Sequence, residues 1–164
     1  MAIELNVRGA TFTSDTLTDF GANARTGMIV QFADSTYGVR DYIIVKAAEA
    51  IADGLLVMKD STSSSTVTVI KTSGVAVAAL GVNNTGGTVA SGDYFYALRR
   101  GLGYADPEAG GWVDGAKIGP AANGEADTVG TVGDVVGVAI LDSSATVNAN
   151  LVLFDFGFGF VAAS

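Results

Sequence analysis

The chain has 164 residues and a formal net charge of −8, with 49% hydrophobic and only 16% charged residues. A chain of this length and hydrophobicity can bury a core as one domain without disulfides, which excludes disorder throughout. The chain contains no His and no Cys, which excludes disulfides, thiolate nucleophiles, imidazole bases and nearly every zinc, copper or haem site, so we expect no cofactor.

The charge balance also limits the partners. Acidic residues outnumber basic ones by 17 to 9, whereas a protein that grips phosphates needs a basic stripe, so we expect no nucleic-acid partner. Residues 1–6 lack the basic start and apolar core of a signal peptide, and no apolar run approaches the length of a membrane helix. We therefore expect no membrane partner. The scarcity of charge predicts that another protein covers part of the surface.

Apolar residues are sparse in the first 24 positions. Ile3, Leu5 and Val7 alternate with polar residues, as in a short strand with one buried face. Phe12 then stands in a stretch rich in Thr and Ser. This pattern is typical of an arm that lies on a partner, and also of a frayed terminus. We predict that residues 1–24 form an extended N-terminal arm, with these four apolar residues as candidate contacts with a partner protein.

Short apolar runs separated by Gly, Asp, Ser and Thr follow, which is typical of strands joined by turns. The short segment 47–52 is interpreted either as a strand continuation or as one turn of helix. The predicted strands in this part of the chain are 28–32, 42–46, 55–59 and 66–71.

The stretch 75–100 is the predicted centre of the fold. It holds two apolar runs, 75–82 and 94–98, separated by Asn-rich and Gly-Gly turn chemistry. The first run is apolar on both faces, which predicts a strand buried on both sides. A weak internal repeat, in which residues 51–57 parallel residues 89–95 and, downstream of each, 79–82 parallel 135–138, suits a barrel built from two related halves. Together these patterns predict an all-β fold, a compact β barrel or sandwich.

A long loop is predicted at about 101–127. Three of its carboxylates, Asp106, Glu108 and Asp114, form a cluster in the sequence close to Trp112. Such a cluster is interpreted as a glycosidase pair, a calcium site or a solvated turn, and its spacing fits a calcium loop poorly. No Ser has a His partner, because the chain lacks His. We therefore predict that the protein is not an enzyme.

The C-terminal part carries predicted strands at 135–141 and 147–156, and then a ladder of aromatic residues. Phe154, Phe156, Phe158 and Phe160 occupy alternate positions, so in a strand their rings share one face, with glycines on the other. Burying each ring is worth about 1.5–3 kcal/mol, so we expect other protein atoms to pack against the rings. Either the ladder closes the core of its own chain, or Phe156, Phe158 and Phe160 pack on a neighbouring copy and make an oligomer.

Residues 26–153 resemble the small head-decoration (capsid cement) proteins of tailed bacteriophages. The resemblance covers most of the chain and is carried by short β motifs. These are Gly27-Met28-Ile29-Val30, the run 42–48 leading into Ile51-Ala52-Asp53-Gly54, the step 89–93, and Val136-Gly137-Val138-Ala139.

The resemblance implies a virion structural role without catalytic residues. It implies a β-rich module, often a trimer or dimer, that binds the outer face of the capsid and clamps neighbouring subunits of the major capsid protein. The interface candidates are then Ile3, Leu5, Val7, Phe12, Phe156, Phe158 and Phe160. The predicted layout is an arm at 1–24 and a β-barrel or sandwich domain at 25–164.

Two alternatives stay open. One is another phage structural part, such as a tail or head-fibre module. The other is a carbohydrate-binding β module that uses Trp112, Tyr104 and the nearby acids.

Overall fold

The computed structural model describes residues 2–5, 11–13, 26–62, 67–74, 78–129, 134–142 and 150–157. Within these ranges it contains twelve strands and one short 3₁₀ helix, Ala122–Gly124, which confirms the predicted all-β fold. The strands are β1 Ala2–Leu5, β2 Thr11–Thr13, β3 Ile29–Asp34, β4 Gly38–Ala47, β5 Leu56–Lys59, β6 Thr68–Lys71, β7 Ala79–Asn83, β8 Tyr94–Tyr104, β9 Lys117–Pro120, β10 Ala126–Thr128, β11 Gly137–Ala139 and β12 Leu151–Asp155.

Two long neighbouring strands, β4 and β8, organise the sheet. Each pairs with three others: β4 with β3, β6 and β8, and β8 with β4, β7 and β12. The pairings β4–β6–β5–β7–β8–β4 close a five-stranded ring, in which β4 and β6 run parallel. Outside the ring, β3 continues from β4, and β12, β11, β9 and β10 continue from β8. The fold is therefore a small barrel that shares two strands with an open sheet.

The middle of β4 is buried on both faces. The four consecutive β4 residues 42–45 are each at most 6% exposed, and successive side chains of a strand point to opposite faces. Ile43 and Val45 belong to a core cluster with residues of β5, β6 and β8, which the ring encloses. Tyr42 belongs to a second cluster that includes residues of the open sheet. One pair of strands thus supplies side chains to both cores.

The second core holds five of the six buried aromatic side chains among the described residues. It joins Phe32, Trp112, Phe154 and Phe156 to aliphatic residues of β5, β7, β9 and β12. The ring of Phe154 stacks on that of Phe156 with 5.2 Å between centroids. These two members of the C-terminal ladder therefore pack within their own chain.

The repeated turn units meet at one end of the ring. Ile51 and Val89 exchange both backbone hydrogen bonds, each 2.9 Å long, and both side chains are buried. In each unit the glycine three residues later, Gly54 or Gly92, has a positive φ. Segment 47–52 is not helical: β4 ends at Ala47, and Ile51 forms this bridge.

The structure differs from the loop predicted at about 101–127. β8 continues through Gly101 to Tyr104, and β9, the 3₁₀ helix and β10 fill much of the remainder. Gly101 has φ 107°, and a Cβ there would lie 2.8 Å from Arg40 Cγ, so the position favours glycine inside a strand. In the sequence this glycine indicates a strand end, whereas in the structure it permits close packing.

The N-terminal stretch contributes two short strands to the sheet edge. β1 pairs antiparallel with β2, and also with β3 through the registers Glu4↔Ala33 and Leu5↔Phe32. The backbone of residues 2–5 therefore continues the sheet. The division of the chain at residue 24 stays a prediction.

We expect Gly81→Ala to destabilise the protein by about 1–3 kcal/mol, because the new methyl group over-packs the contact between β7 and β8. A Cβ at Gly81 would lie 2.8 Å from the backbone oxygen of Leu98 and 3.0 Å from Ala97 Cβ. Gly87→Ala is the matched control, since a Cβ there meets no atom within 4 Å. Urea unfolding measures both variants, and equal midpoints would contradict the close approach of the two strands.

Candidate interaction surface

The open sheet has an outer face, which turns away from the second core. Residues directly opposite each other on paired antiparallel strands share a face, and the strand registers join one row across four strands: Lys117↔Val138, Val138↔Leu153 and Leu153↔Leu102. A second row crosses four strands beside it: Asp155↔Arg100, Arg100↔Asp41 and Asp41↔Gln31. We define the outer face as these eight residues together with Val39, which lies two positions before Asp41.

Aliphatic side chains dominate the first row of the outer face. Val39, Leu153 and Val138 are 59%, 50% and 40% exposed, and Leu102 is half-buried. The two strand neighbours of Leu153, Val152 and Phe154, are at most 1% exposed, because they point into the second core. The outer face is thus a regular sheet surface that presents branched aliphatic residues to solvent.

Charged and amide groups form the second row. The register places Arg100 between two carboxylate residues, Asp155 and Asp41. The amide Nε2 of Gln31 donates a 2.8 Å hydrogen bond to Asp41 Oδ1. An apolar strip bordered by polar groups is the chemistry of a protein–protein contact, with an apolar centre and a polar rim.

A buried polar cluster supports this face from behind. The Arg40 guanidinium donates a 3.0 Å hydrogen bond to Asp34 Oδ2, and both side chains are at most 4% exposed. Arg40 also lies over the rings of Tyr37 and Tyr42, with 5.0 and 5.5 Å to the centroids. The hydroxyl of Tyr37 contacts that of Tyr104. These contacts fix the β3–β4 turn against β8, and they have a structural role.

Burial changes the ionisation of two tyrosines in and beside this cluster. Desolvation raises the pKa of Tyr42 to about 12, although the positive charge of Arg40 acts to lower this pKa. Desolvation, and then the hydrogen bond with Tyr37, raise the pKa of Tyr104 to about 12. Both phenols therefore stay neutral across the range in which the chain would normally be handled.

The carboxylates beside Trp112 do not form a metal-binding group among the described residues. Backbone groups of Asp106 and Glu108 bond to Ala126, whereas the backbone N–H of Asp114 donates to Asp142 Oδ1. Burial raises the pKa of the Asp106 carboxyl. Within the described ranges, no group of three or more acidic residues is arranged to hold a metal ion.

Trp112 is not a surface aromatic. It is only 5% exposed, and its Nε1–H donates a 3.2 Å hydrogen bond to the backbone oxygen of Leu141. Its ring fills the second core. It therefore offers no platform on which a sugar ring could stack, as the carbohydrate-binding alternative requires.

The predicted interface residues fall into three groups. Ile3 and Phe12 are register partners of β1 and β2, and Leu5 ends β1. Phe156 is 4% exposed and belongs to the second core. Val7, Phe158 and Phe160 lie outside the described residues, so their contacts with a capsid or a neighbouring copy stay predictions.

Sequence reasoning missed the outer face. The alternation that marks it is short: β12 reads Leu-Val-Leu-Phe-Asp, with Val152 and Phe154 buried and Leu153 and Asp155 exposed. All but the last of these residues are apolar, so periodicity alone does not distinguish the inner from the outer face. The low content of charged residues is the signal that the sequence offers, and it indicates a covered surface without locating it.

The described part of the chain contains no helix long and apolar enough to cross a membrane.

No protein-family model matches the chain. No curated protein sequence matches it either. A solved structure, the N base of head fibre gp8.5 in bacteriophage phi29, is similar in fold, with a TM-score of 0.50 and 12% sequence identity. The match covers 79% of this chain and 97% of that one. At this identity the likeness concerns the fold.

We expect Tyr42→Phe to weaken the alkaline loss of stability. The unfolded phenol ionises near pH 10 and the folded one near 12, so between these values the unfolded state releases its proton first and the free energy of unfolding falls as pH rises. Removing the hydroxyl removes a loss of roughly 2–3 kcal/mol at pH 12. Urea unfolding from pH 7 to 12 measures the difference between variant and wild type, and parallel curves would contradict it.

Proposed function

We propose that this chain is a structural protein of a tailed-bacteriophage head, bound at the outer surface of the capsid as a decoration or cement protein. The observation that carries this proposal is the outer face, a sheet surface of exposed aliphatic residues beside a row of charged and amide groups. The fold likeness to a phage head-fibre base supports it, as does the resemblance of the β motifs to head-decoration proteins. In this role the protein bridges neighbouring subunits of the major capsid protein.

The outer face has chemistry suited to such a contact. A standard interface takes about 800 Å² from each partner, roughly a tenth of this chain's accessible surface of 8457 Å². Complete burial of a side chain such as Leu153 contributes about 1.5–3 kcal/mol relative to full exposure. The row with Arg100, Asp41 and Asp155 then fixes orientation, since charged groups at an interface contribute more to specificity than to raw affinity.

Binding at this surface strengthens a shell by mass action. A ligand that binds the assembled lattice and not its free subunits stabilises the lattice by an amount that grows with occupancy. A homo-oligomer that spans several capsid subunits gains further through effective concentration. We therefore also propose that the protein acts as a dimer or trimer. This role needs no catalytic group.

A second candidate is the base of a head fibre. The specific observation in its favour is that the solved structure with a similar fold is itself the N base of a phage head fibre. A fibre base also attaches to the capsid, but its purpose is to present a further fibre segment and not to reinforce the shell. The two functions therefore predict different effects on capsid strength.

We expect the protein to raise the rupture temperature of the expanded empty heads of the phage that encodes it. Heads are prepared without the protein, divided, and heated with and without a saturating amount of it, at normal and low ionic strength. Release of encapsulated dye or DNA measures rupture. Bound protein with an unchanged rupture temperature supports the fibre-base role, and failure to bind the heads contradicts both roles.

We expect Leu153→Glu to weaken head binding by about 10- to 100-fold, because a charge must then be desolvated in an apolar contact. Stability should change by no more than about 0.5 kcal/mol, since the position is exposed. The control is Val113→Glu, which adds the same charge at a 67% exposed aliphatic residue outside the strands of the outer face. Co-sedimentation with heads measures both, and equal binding by both variants would exclude the outer face.

A further inference from the structure

The open sheet returns to the barrel at the turn between β9 and β10. Thr72, which follows β6 of the barrel, accepts a 2.9 Å hydrogen bond from the Gly124 N–H, and its Oγ1 donates one of 2.9 Å to the Ala121 oxygen. Thr72 and Ala121 are each 1% exposed. We call residues 121–125 together with Thr72 the clasp. Because β9 and β10 are the outermost strands on that side of β8, the clasp joins the edge of the second core to the barrel.

Two consecutive residues of the clasp have left-handed backbone conformations. Asn123 has φ 58°, and in the described ranges no other residue except glycine has a positive φ. Asn adopts this conformation more readily than most residues. Gly124 has φ 83° and is buried, and a Cβ there would lie 3.1 Å from the Leu56 oxygen. The turn therefore needs a residue pair such as Asn-Gly.

The same dipeptide is chemically labile. The backbone nitrogen that follows an Asn attacks the side-chain carbonyl carbon, so that a C–N bond forms and ammonia leaves with the proton of that nitrogen. Water then opens the cyclic imide at either carbonyl and gives aspartate or isoaspartate. A following glycine favours the attack, because no Cβ hinders the approach. Asn123 is the only Asn of the chain that Gly follows, and it is exposed.

We propose that Asn123 is a deamidation site whose reaction the clasp controls. In the closed clasp the Gly124 N–H donates to the Thr72 oxygen, whereas the attack requires this nitrogen to release its proton and to approach the Asn123 side chain. The reaction therefore proceeds from molecules in which the clasp has opened locally, at a free energy below that of global unfolding. This inference does not depend on the proposed role in a capsid.

Isoaspartate at this position prevents the clasp from closing again. It adds one methylene group to the main chain directly before Gly124. The surroundings of Gly124 are tight: a Cβ there would lie 3.1 Å from Leu55 Cβ and 3.2 Å from Lys71 Cβ, so an added carbon over-packs the buried turn. Aspartate, the other product, keeps the original length of the main chain. Formation of isoaspartate is thus a one-way change from a clasped to an unclasped molecule.

Peptide mass mapping of the full chain at mildly alkaline pH measures deamidation at Asn123. We expect the native protein to react at least about tenfold more slowly than the urea-unfolded protein, because the closed clasp holds the Gly124 N–H. Below the unfolding transition, the native rate should rise less steeply with urea than the unfolding equilibrium constant does, since local opening exposes less surface. A synthetic peptide of residues 119–127 in the same solutions corrects for the effect of urea on the chemistry.

Two outcomes of this measurement would overturn the proposal. Equal rates in the native and the unfolded protein would show that the clasp does not protect Asn123. A native rate that follows the unfolding equilibrium constant would show that the reaction needs global unfolding and not the opening of the clasp.

Thr72→Val tests the clasp directly. The variant removes the hydroxyl that donates to the Ala121 oxygen, so we expect native deamidation at Asn123 to be about 2- to 10-fold faster, the factor that corresponds to the loss of one hydrogen bond. The control is Thr88→Val, at an exposed Thr outside the clasp, and it should react as the wild type does. An unchanged rate in a folded Thr72→Val protein would contradict the proposal. If circular dichroism shows that Thr72→Val is unfolded, the urea series on the wild type decides.

The effect of the modification is measured on aged protein. Anion exchange separates the deamidated molecules by their added negative charge, and enzymatic methylation of isoaspartate identifies that product. We expect the isoaspartate form to unfold at lower urea than Asn123→Asp, which has the same charge and an unaltered main chain, and whose Asp tolerates the left-handed conformation. Equal midpoints for the two would show that the clasp accommodates isoaspartate, and would overturn the one-way change.

Discussion

The pairing of β4 with β8 is the constraint on which the rest of the structure depends. Their registers run from Lys46↔Tyr94 to Asp41↔Arg100, and both strands are long enough to leave the barrel at one end and enter the open sheet at the other. Because residues 42–45 are buried on both faces, a polar residue at any of these positions would lie in one core or the other. A slip of one residue would exchange the side chains of the two cores. The two halves of the molecule therefore share one register and must form together.

The outer face follows from this arrangement. The second core covers the inner side of the open sheet. Among the described residues, no further layer covers the outer side of β8, β12 and β11. β sheets with one solvent-exposed face ordinarily carry polar residues on that face. Here Val39, Val138 and Leu153 occupy that side, and the polar groups other than Lys117 lie in one row. Three of the exposed large hydrophobic residues of the described chain therefore lie on a single surface.

The all-β class could be predicted from the sequence because strands with turn chemistry between them dominate its pattern. The strands predicted at 28–32, 55–59 and 66–71 are correct to within two residues, whereas β4 and β8 extend well beyond the predicted 42–46 and 94–98. The repeat of residues 51–54 at 89–92 also has a physical basis, since Ile51 and Val89 pair. The extent of β8 could not be predicted, because Gly101 is a turn residue in local terms and a packing requirement only in the presence of Arg40. Trp112 shows the same limit: it follows Gly110 and Gly111 and is typical of an exposed loop, yet tertiary contacts bury it.

The candidate site was harder to predict than the fold, for a reason that lies in the chemistry. Catalytic and metal sites need particular residue types, so a chain without His or Cys excludes most of them at once. A contact surface needs only one exposed face of a sheet. The strand registers that create this face join residues that are far apart in the chain. Leu102 and Leu153 are 51 positions apart, yet they are direct neighbours. Local alternation in β12 could not separate its two sides, because both carry apolar residues. The pairing with β8 and β11 decides which side is buried, and so decides where the molecule can meet a partner.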